Sequence, residues 1–69
     1  MNEQEKIEEL AEIFETDAGG LTKDTSLDTL SWDSMAMLSV MALSKAHGIG
    51  MSAVQVREVK TIGDILPYL

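Results

Sequence analysis

The sequence predicts an all-α domain in which three principal helices and one short third helix pack as a four-helix bundle. In the first segment, apolar residues recur at spacings of three and four, and capping patterns open three of the four segments. No stretch shows the alternating β-branched residues typical of a strand. The 69 residues form one domain, 1–69. Because so short a chain has a thin core, we expect it to act through its surface or through an attached group.

The first helix is predicted over residues 2–16. Asn2 is a suitable N-cap, and Glu5 follows three residues later, as in a capping box. Gly19-Gly20 is expected to end the element. One face carries an apolar stripe formed by Ile7, Leu10, Ala11 and Phe14.

Residues 17–33 show no clear hydrophobic period and are predicted to form a long loop between the first two helices. A loop of this length is unusual in so small a domain and is often functional. We expect four side chains to hold it against the helices, namely Leu21, Leu27, Leu30 and Trp32.

The second helix is predicted over residues 35–46, with Asp33 or Ser34 as its cap and Gly48 as its stop. Its apolar residues cover almost the whole circumference: Met35, Ala36, Met37, Leu38, Val40, Met41, Ala42 and Leu43. Such a helix should be buried, yet a domain of this size cannot enclose it on every side. Part of its surface is therefore expected to meet a partner, a ligand or a second copy.

Two further capping patterns predict the remaining helices. Residues 52–55 open a short third helix that carries Val54 and Val56. Residues 61–64 open the fourth helix, which Pro67 should end or distort. Its inward side chains are predicted to be Ile62, Ile65, Leu66 and Leu69.

The net charge of the chain and its distribution indicate which classes of binding partner are favoured. The formal net charge is −7, and residues 1–33 contain ten of the twelve acids. This charge disfavours nucleic acid and anionic membranes, and it suits partners with basic surfaces. No apolar run approaches the ~18 residues of a membrane span, and the acidic N-terminus does not resemble a signal peptide. We therefore expect a cytoplasmic location, with no membrane partner.

The usual catalytic and metal sites are not supported, so no enzyme activity is predicted. His47 is the only histidine, and along a helix it would lie ~20 Å from Ser34, too far to act as its base. His47 is better interpreted as a residue at the helix C-terminus or in the packing. With one histidine and no cysteine, the chain cannot form a usual zinc site.

The junction Trp32-Asp33-Ser34-Met35 joins the long loop to the apolar helix. A serine at this point is exposed and lies at the positive end of the helix dipole. Backbone N–H groups there favour the binding of a phosphodiester. Because Ser34 is expected to be exposed, a flexible arm attached to it could extend into solvent.

The segment Asp33-Ser34-Met35, followed by the apolar helix, resembles the start of the second helix in acyl carrier proteins. The loop over residues 22–32 and the tail over residues 60–69 are also similar to that family, so the resemblance covers the whole chain. It implies that a separate transferase joins 4′-phosphopantetheine from coenzyme A to the hydroxyl of Ser34. The arm's thiol would then hold an acyl group as a thioester for fatty-acid, polyketide or related enzymes. The protein itself would catalyse nothing.

Departures from the family pattern indicate a specialised carrier rather than a housekeeping one. Met35 replaces the usual leucine, and the second helix lacks the acids that dock basic enzymes, with Ala36, Ser39, Ser44 and Lys45 in that helix instead. We therefore predict a more apolar docking surface. Its residues are Met35, Met37, Leu38 and Met41, with Asp28 of the loop supplying an acid.

Three interpretations follow from these residues. The first is a monomeric acyl carrier that meets a phosphopantetheinyl transferase and then acyl-loading and acyl-transferring enzymes. The second is a peptidyl or aminoacyl carrier, which uses the same arm. The third is an unmodified helical interaction module that docks through the second helix. The methionines can line a space for an acyl chain or simply fill the core.

Overall fold

The computed structural model describes residues 2–69 and contains four α-helices in that range. They are α1 (Glu3–Ile13), α2 (Ser34–Ala46), α3 (Ala53–Glu58) and α4 (Ile62–Ile65). Short 3₁₀ turns occur at Ala18–Gly20, Leu27–Thr29 and Leu66–Tyr68. The described residues form no strand, only one isolated bridge between Ser26 and Thr61. The prediction of an all-α domain is confirmed.

Helix α1 begins with the predicted Asn2 cap, without the reciprocal Glu5 bond of a capping box, and ends earlier than predicted. The Asn2 side chain accepts a hydrogen bond from the Glu5 amide at 2.9 Å. At the other end the chain reverses at Glu15, which has a φ of 54°, while the Thr16 amide donates to the Ala11 carbonyl at 3.0 Å. This is a Schellman closure, usually made by glycine. The predicted end at Gly19-Gly20 is therefore wrong, because Glu15 adopts the left-handed conformation first.

The loop between α1 and α2 is held in place as predicted. Leu21 and Leu27 are buried, and Leu30 and Trp32 pack against the core, with the Trp32 ring 5.9 Å from that of Phe14. Backbone bonds also tie the loop to the C-terminal segment, as the Leu27 amide donates to the Lys60 carbonyl at 2.8 Å.

Gly63 permits another close approach between the loop and the C-terminal segment. Its amide donates to the Lys23 carbonyl at 2.8 Å. A Cβ atom at Gly63 would lie 2.8 Å from that same oxygen, so a larger residue would push the segment away.

Both predicted C-terminal capping boxes are present. Ser52 and Gln55 exchange side-chain and backbone bonds at the start of α3, and Thr61 and Asp64 do so at the start of α4. Backbone N–H bonds from Lys60 and then Thr61 lower the pKa of the Asp64 carboxyl. Each of these capping side chains thus forms a hydrogen bond with a backbone N–H group at the start of its helix.

One hydrophobic core joins the four helices and the loop. The predicted α1 stripe and the predicted inward residues of the C-terminal segment are all buried. In α3, Val56 is buried whereas Val54 is 61% exposed. Helix α4 gives way to the 3₁₀ turn that contains Pro67, as its missing amide hydrogen predicts.

Candidate functional site

The sequence leaves open whether Asp33 or Ser34 caps α2, and the structure assigns the cap to Asp33. Asp33 has extended backbone angles, and its Oδ1 accepts a hydrogen bond from the Ala36 amide at 2.9 Å. Asp33 is therefore the N-cap, and Ser34 is the first residue of the helix. The carboxylate also lies where the helix dipole favours negative charge.

The hydroxyl of Ser34 has no structural task. Ser34 is exposed, and its Oγ forms no hydrogen bond with any of residues 2–69. The hydroxyls of Ser52 and Thr61, by contrast, each accept a bond from the third residue of their helix. The Ser34 and Met35 amides also lack partners within the described chain. A nucleophilic oxygen and two free donors thus share the positive end of α2.

A groove of about 290 Å³ lies beside Ser34, between α2 and α3. Its lining consists of Ser34, Met37, Leu38, Met41, Ala53, Val56 and Arg57. Ser34 and Arg57 are the polar residues among them, and the others are apolar. A group attached to the Ser34 oxygen could therefore lie against apolar side chains instead of extending freely.

The structure brings some of the predicted partner residues together and leaves others apart. Met37, Leu38 and Met41 line the groove with Ser34. Met35, which is 75% exposed, instead lines a separate cavity between α1 and α2 together with Asp33. Asp28 is exposed in the Leu27–Thr29 turn and does not line the Ser34 groove.

Helix α2 is not buried all round but has two distinct faces. Ala36, Val40 and Ser44, spaced four apart, are its buried residues. Leu38, by contrast, is 64% exposed and lies on the outward side of the helix. The small side chains allow α2 to approach the core closely, while the longer ones are partly buried or exposed. This row of small residues is a signal in the sequence that hydrophobicity alone obscured.

Ser44 has a structural role rather than a place on the docking surface. It is fully buried, and its hydroxyl donates to the Tyr68 carbonyl. Ala36 is buried as well. Two of the four residues that stand in place of docking acids therefore face the core, while Ser39 and Lys45 are exposed.

His47 lies at the opposite end of α2 from Ser34, so the two cannot act together. It is the C-cap residue, as predicted, and its Nε2 is 3.1 Å from the Glu9 carboxylate of α1.

A second groove, of about 580 Å³, runs between α1 and α2 and includes Glu9 and Glu12. Within residues 2–69, no group of three potential ligands could hold a metal ion.

Arg57 is the site residue that the sequence did not reveal. Its Nε donates to the Ala53 carbonyl one turn earlier at 3.2 Å. No carboxylate of the described chain lies within 4.0 Å of its guanidinium. Only the packing of α3 against α2 places this cation beside Ser34, and nothing in the local sequence pattern indicates that packing.

None of the helices in the described range is both long and apolar enough to cross a membrane. Comparisons with protein-family models, curated proteins and solved structures found no match for the chain. Its function is therefore inferred from the site itself.

Proposed function

We propose that this protein is a carrier of the acyl-carrier type, folded as a four-helix bundle. It would hold acyl groups as thioesters on a 4′-phosphopantetheine arm joined to the Ser34 hydroxyl. The observation that supports this proposal is the division of roles at the start of α2. Asp33 caps the helix, so the exposed Ser34 oxygen is free for modification.

The residues around Ser34 fit such an arm. A phosphodiester on the Ser34 oxygen would lie near two unpartnered amides at the positive end of a 13-residue helix. The arm supplies a thiol, which the chain cannot provide because it has no cysteine. The protein's own part is to attach, orient and present that thiol, and we propose no catalytic step by its residues.

The groove between α2 and α3 supports a role in shielding cargo. Met37, Leu38 and Met41 offer apolar contact close to the attachment point. Methionine side chains adapt their shape, so the groove can adjust to acyl groups of different size. A thioester held against these side chains would be less accessible to water.

The surface around the site favours enzyme partners that combine basic and apolar features. The net charge of −7 attracts basic proteins over a distance, whereas Met35 and Leu38 provide apolar contact at short range. We therefore propose a phosphopantetheinyl transferase and dedicated loading and transferring enzymes as partners. The carrier would act in the cytoplasm as a monomer, without nucleic acid or membrane.

A second candidate is an unmodified interaction module. It is favoured by the exposure of Met35 and Leu38 on one helix, at 75% and 64%. Large apolar side chains that are exposed next to one another often mark a docking surface. This candidate predicts binding without any covalent change at Ser34.

Intact-mass spectrometry separates these candidates. The protein is incubated with coenzyme A, magnesium and several phosphopantetheinyl transferases. A carrier gains one phosphopantetheine, and Ser34→Ala abolishes the gain. Ser39→Ala, which removes another exposed hydroxyl of α2, should leave the gain intact. Failure of every transferase to modify the wild-type protein would contradict the carrier proposal and favour the interaction module.

Loading trials on the modified protein then separate the two carrier types. Acyl-activating enzymes supplied with fatty acids should form a thioester that hydroxylamine cleaves. Exclusive loading by amino-acid-activating enzymes would instead identify a peptidyl or aminoacyl carrier.

A further inference from the structure

Arg57 is the one cation that lines the groove beside Ser34. Lys45 lines a separate cavity with Met51, and Lys60 belongs to neither. The other groove residues besides Ser34 are apolar, so Arg57 is the only charged group available to a ligand placed there. Arg57 thus lies on a short helix and lines the same groove as the attachment oxygen.

The guanidinium of Arg57 forms one hydrogen bond, through its Nε, within the described residues. The bond from Nε to the Ala53 carbonyl, at 3.2 Å, directs the side chain along the surface of α3. An arginine has five N–H donors, and the remaining four have no partner in residues 2–69. Such a fork suits two oxygens of one phosphate, which it can bind at the same time.

A cation in the groove would stabilise an anion on Ser34 beyond what the helix amides provide. Asp33, the adjacent residue, has a carboxylate that is fixed by its capping bond to Ala36. A phosphodiester next to this carboxylate adds a second negative charge, and like charges close together repel. Arg57, across the same groove, is the group that can offset the repulsion.

We propose that Arg57 binds the phosphodiester of an arm attached to Ser34 and thereby directs the arm into the groove between α2 and α3. This inference rests on the proposed carrier function and adds a residue that positions the arm. The same guanidinium could bind a carboxylate on the cargo. The modified protein without cargo distinguishes the two sources, because its arm carries the phosphate but no acyl group.

The test compares the unmodified and modified forms of the wild type, Arg57→Gln and Lys60→Gln by thermal unfolding. Modification should raise the melting temperature of the wild type and of Lys60→Gln by about 2–4 °C, as expected for one partly exposed charge-assisted contact. The rise should be absent in Arg57→Gln and reduced in Arg57→Lys, which keeps the charge but loses the fork.

Nitrogen-15 NMR of Arg57, the single arginine of the sequence, provides a readout that does not depend on stability. The Nε–Hε signal of Arg57 should move when the arm is attached, before any cargo is loaded. An unmoved signal, with an equal temperature rise in Arg57→Gln, would overturn the role of Arg57 but leave the carrier function standing. A signal that moves only after loading with a dicarboxylic acyl group would also overturn it, in favour of cargo binding. Failure to attach the arm at all would overturn both proposals.

Discussion

The two faces of α2 have the same apolar character in the sequence but different roles in the structure. The inward face consists of Ala36, Val40 and Ser44, which are buried. The outward side carries Met35 and Leu38, which are mostly exposed. Small residues at these positions let the helix lie close to a thin core, whereas the larger side chains are partly buried or exposed. Position around the helix therefore distinguishes the buried residues from those most available to a partner or cargo.

The largest effect is expected from Val40, which is completely buried. Val40→Ala should lower the free energy of unfolding by about 2–3 kcal/mol, because it removes apolar contact and leaves a cavity. Urea unfolding measures this loss. Leu38→Ala, on the outward side, is the matched control and should change stability by less than about 0.5 kcal/mol. Similar losses in both variants would break the distinction between the faces.

A smaller effect is expected from the buried hydroxyl of the inward face. Ser44→Ala leaves the Tyr68 carbonyl without its donor, so the free energy of unfolding should fall by about 1–2 kcal/mol. Ser39→Ala removes an exposed hydroxyl of the same helix and should have almost no effect. An equal response of both serines in urea unfolding would show that the Tyr68 contact contributes little.

Substitution of Leu38 is expected to change stability least, but to slow the attachment of the arm by the transferase. Leu38→Ser should leave the unfolding curve nearly unchanged, because the side chain is already 64% exposed. It should reduce kcat/KM for attachment of the arm about tenfold if Leu38 is an anchor for the transferase. Ser39→Ala serves again as the control. An unchanged rate would remove Leu38 from the docking surface.

Much of the fold could be predicted from local sequence patterns. Residues such as Asn2, Ser52 and Thr61 start helices through short-range bonds to amides within three positions. The periodic α1 stripe and the C-terminal apolar residues are buried, as their spacing predicts. The early end of α1 could not be predicted, because the reversal uses Glu15, a residue that disfavours positive φ.

The candidate site was only partly accessible from the sequence. The sequence indicates Ser34 and Asp33 together, but only the folded structure shows that Asp33 accepts the capping bond. The orientation of α2 was not predictable from hydrophobicity, since apolar residues surround the helix. The sequence does not indicate Arg57, because its place in the Ser34 groove depends on how two helices separated in the sequence pack together.

The most direct test of the account compares Asp33→Ala with Ser34→Ala in urea unfolding. Asp33→Ala should lower the free energy of unfolding by about 1 kcal/mol, the usual cost of a lost N-cap. Ser34→Ala should stay within about 0.5 kcal/mol of the wild type, because its hydroxyl forms no bond. A loss in Ser34→Ala as large as that in Asp33→Ala would show that the Ser34 oxygen belongs to the fold, and would contradict the claim that it is free to carry an arm.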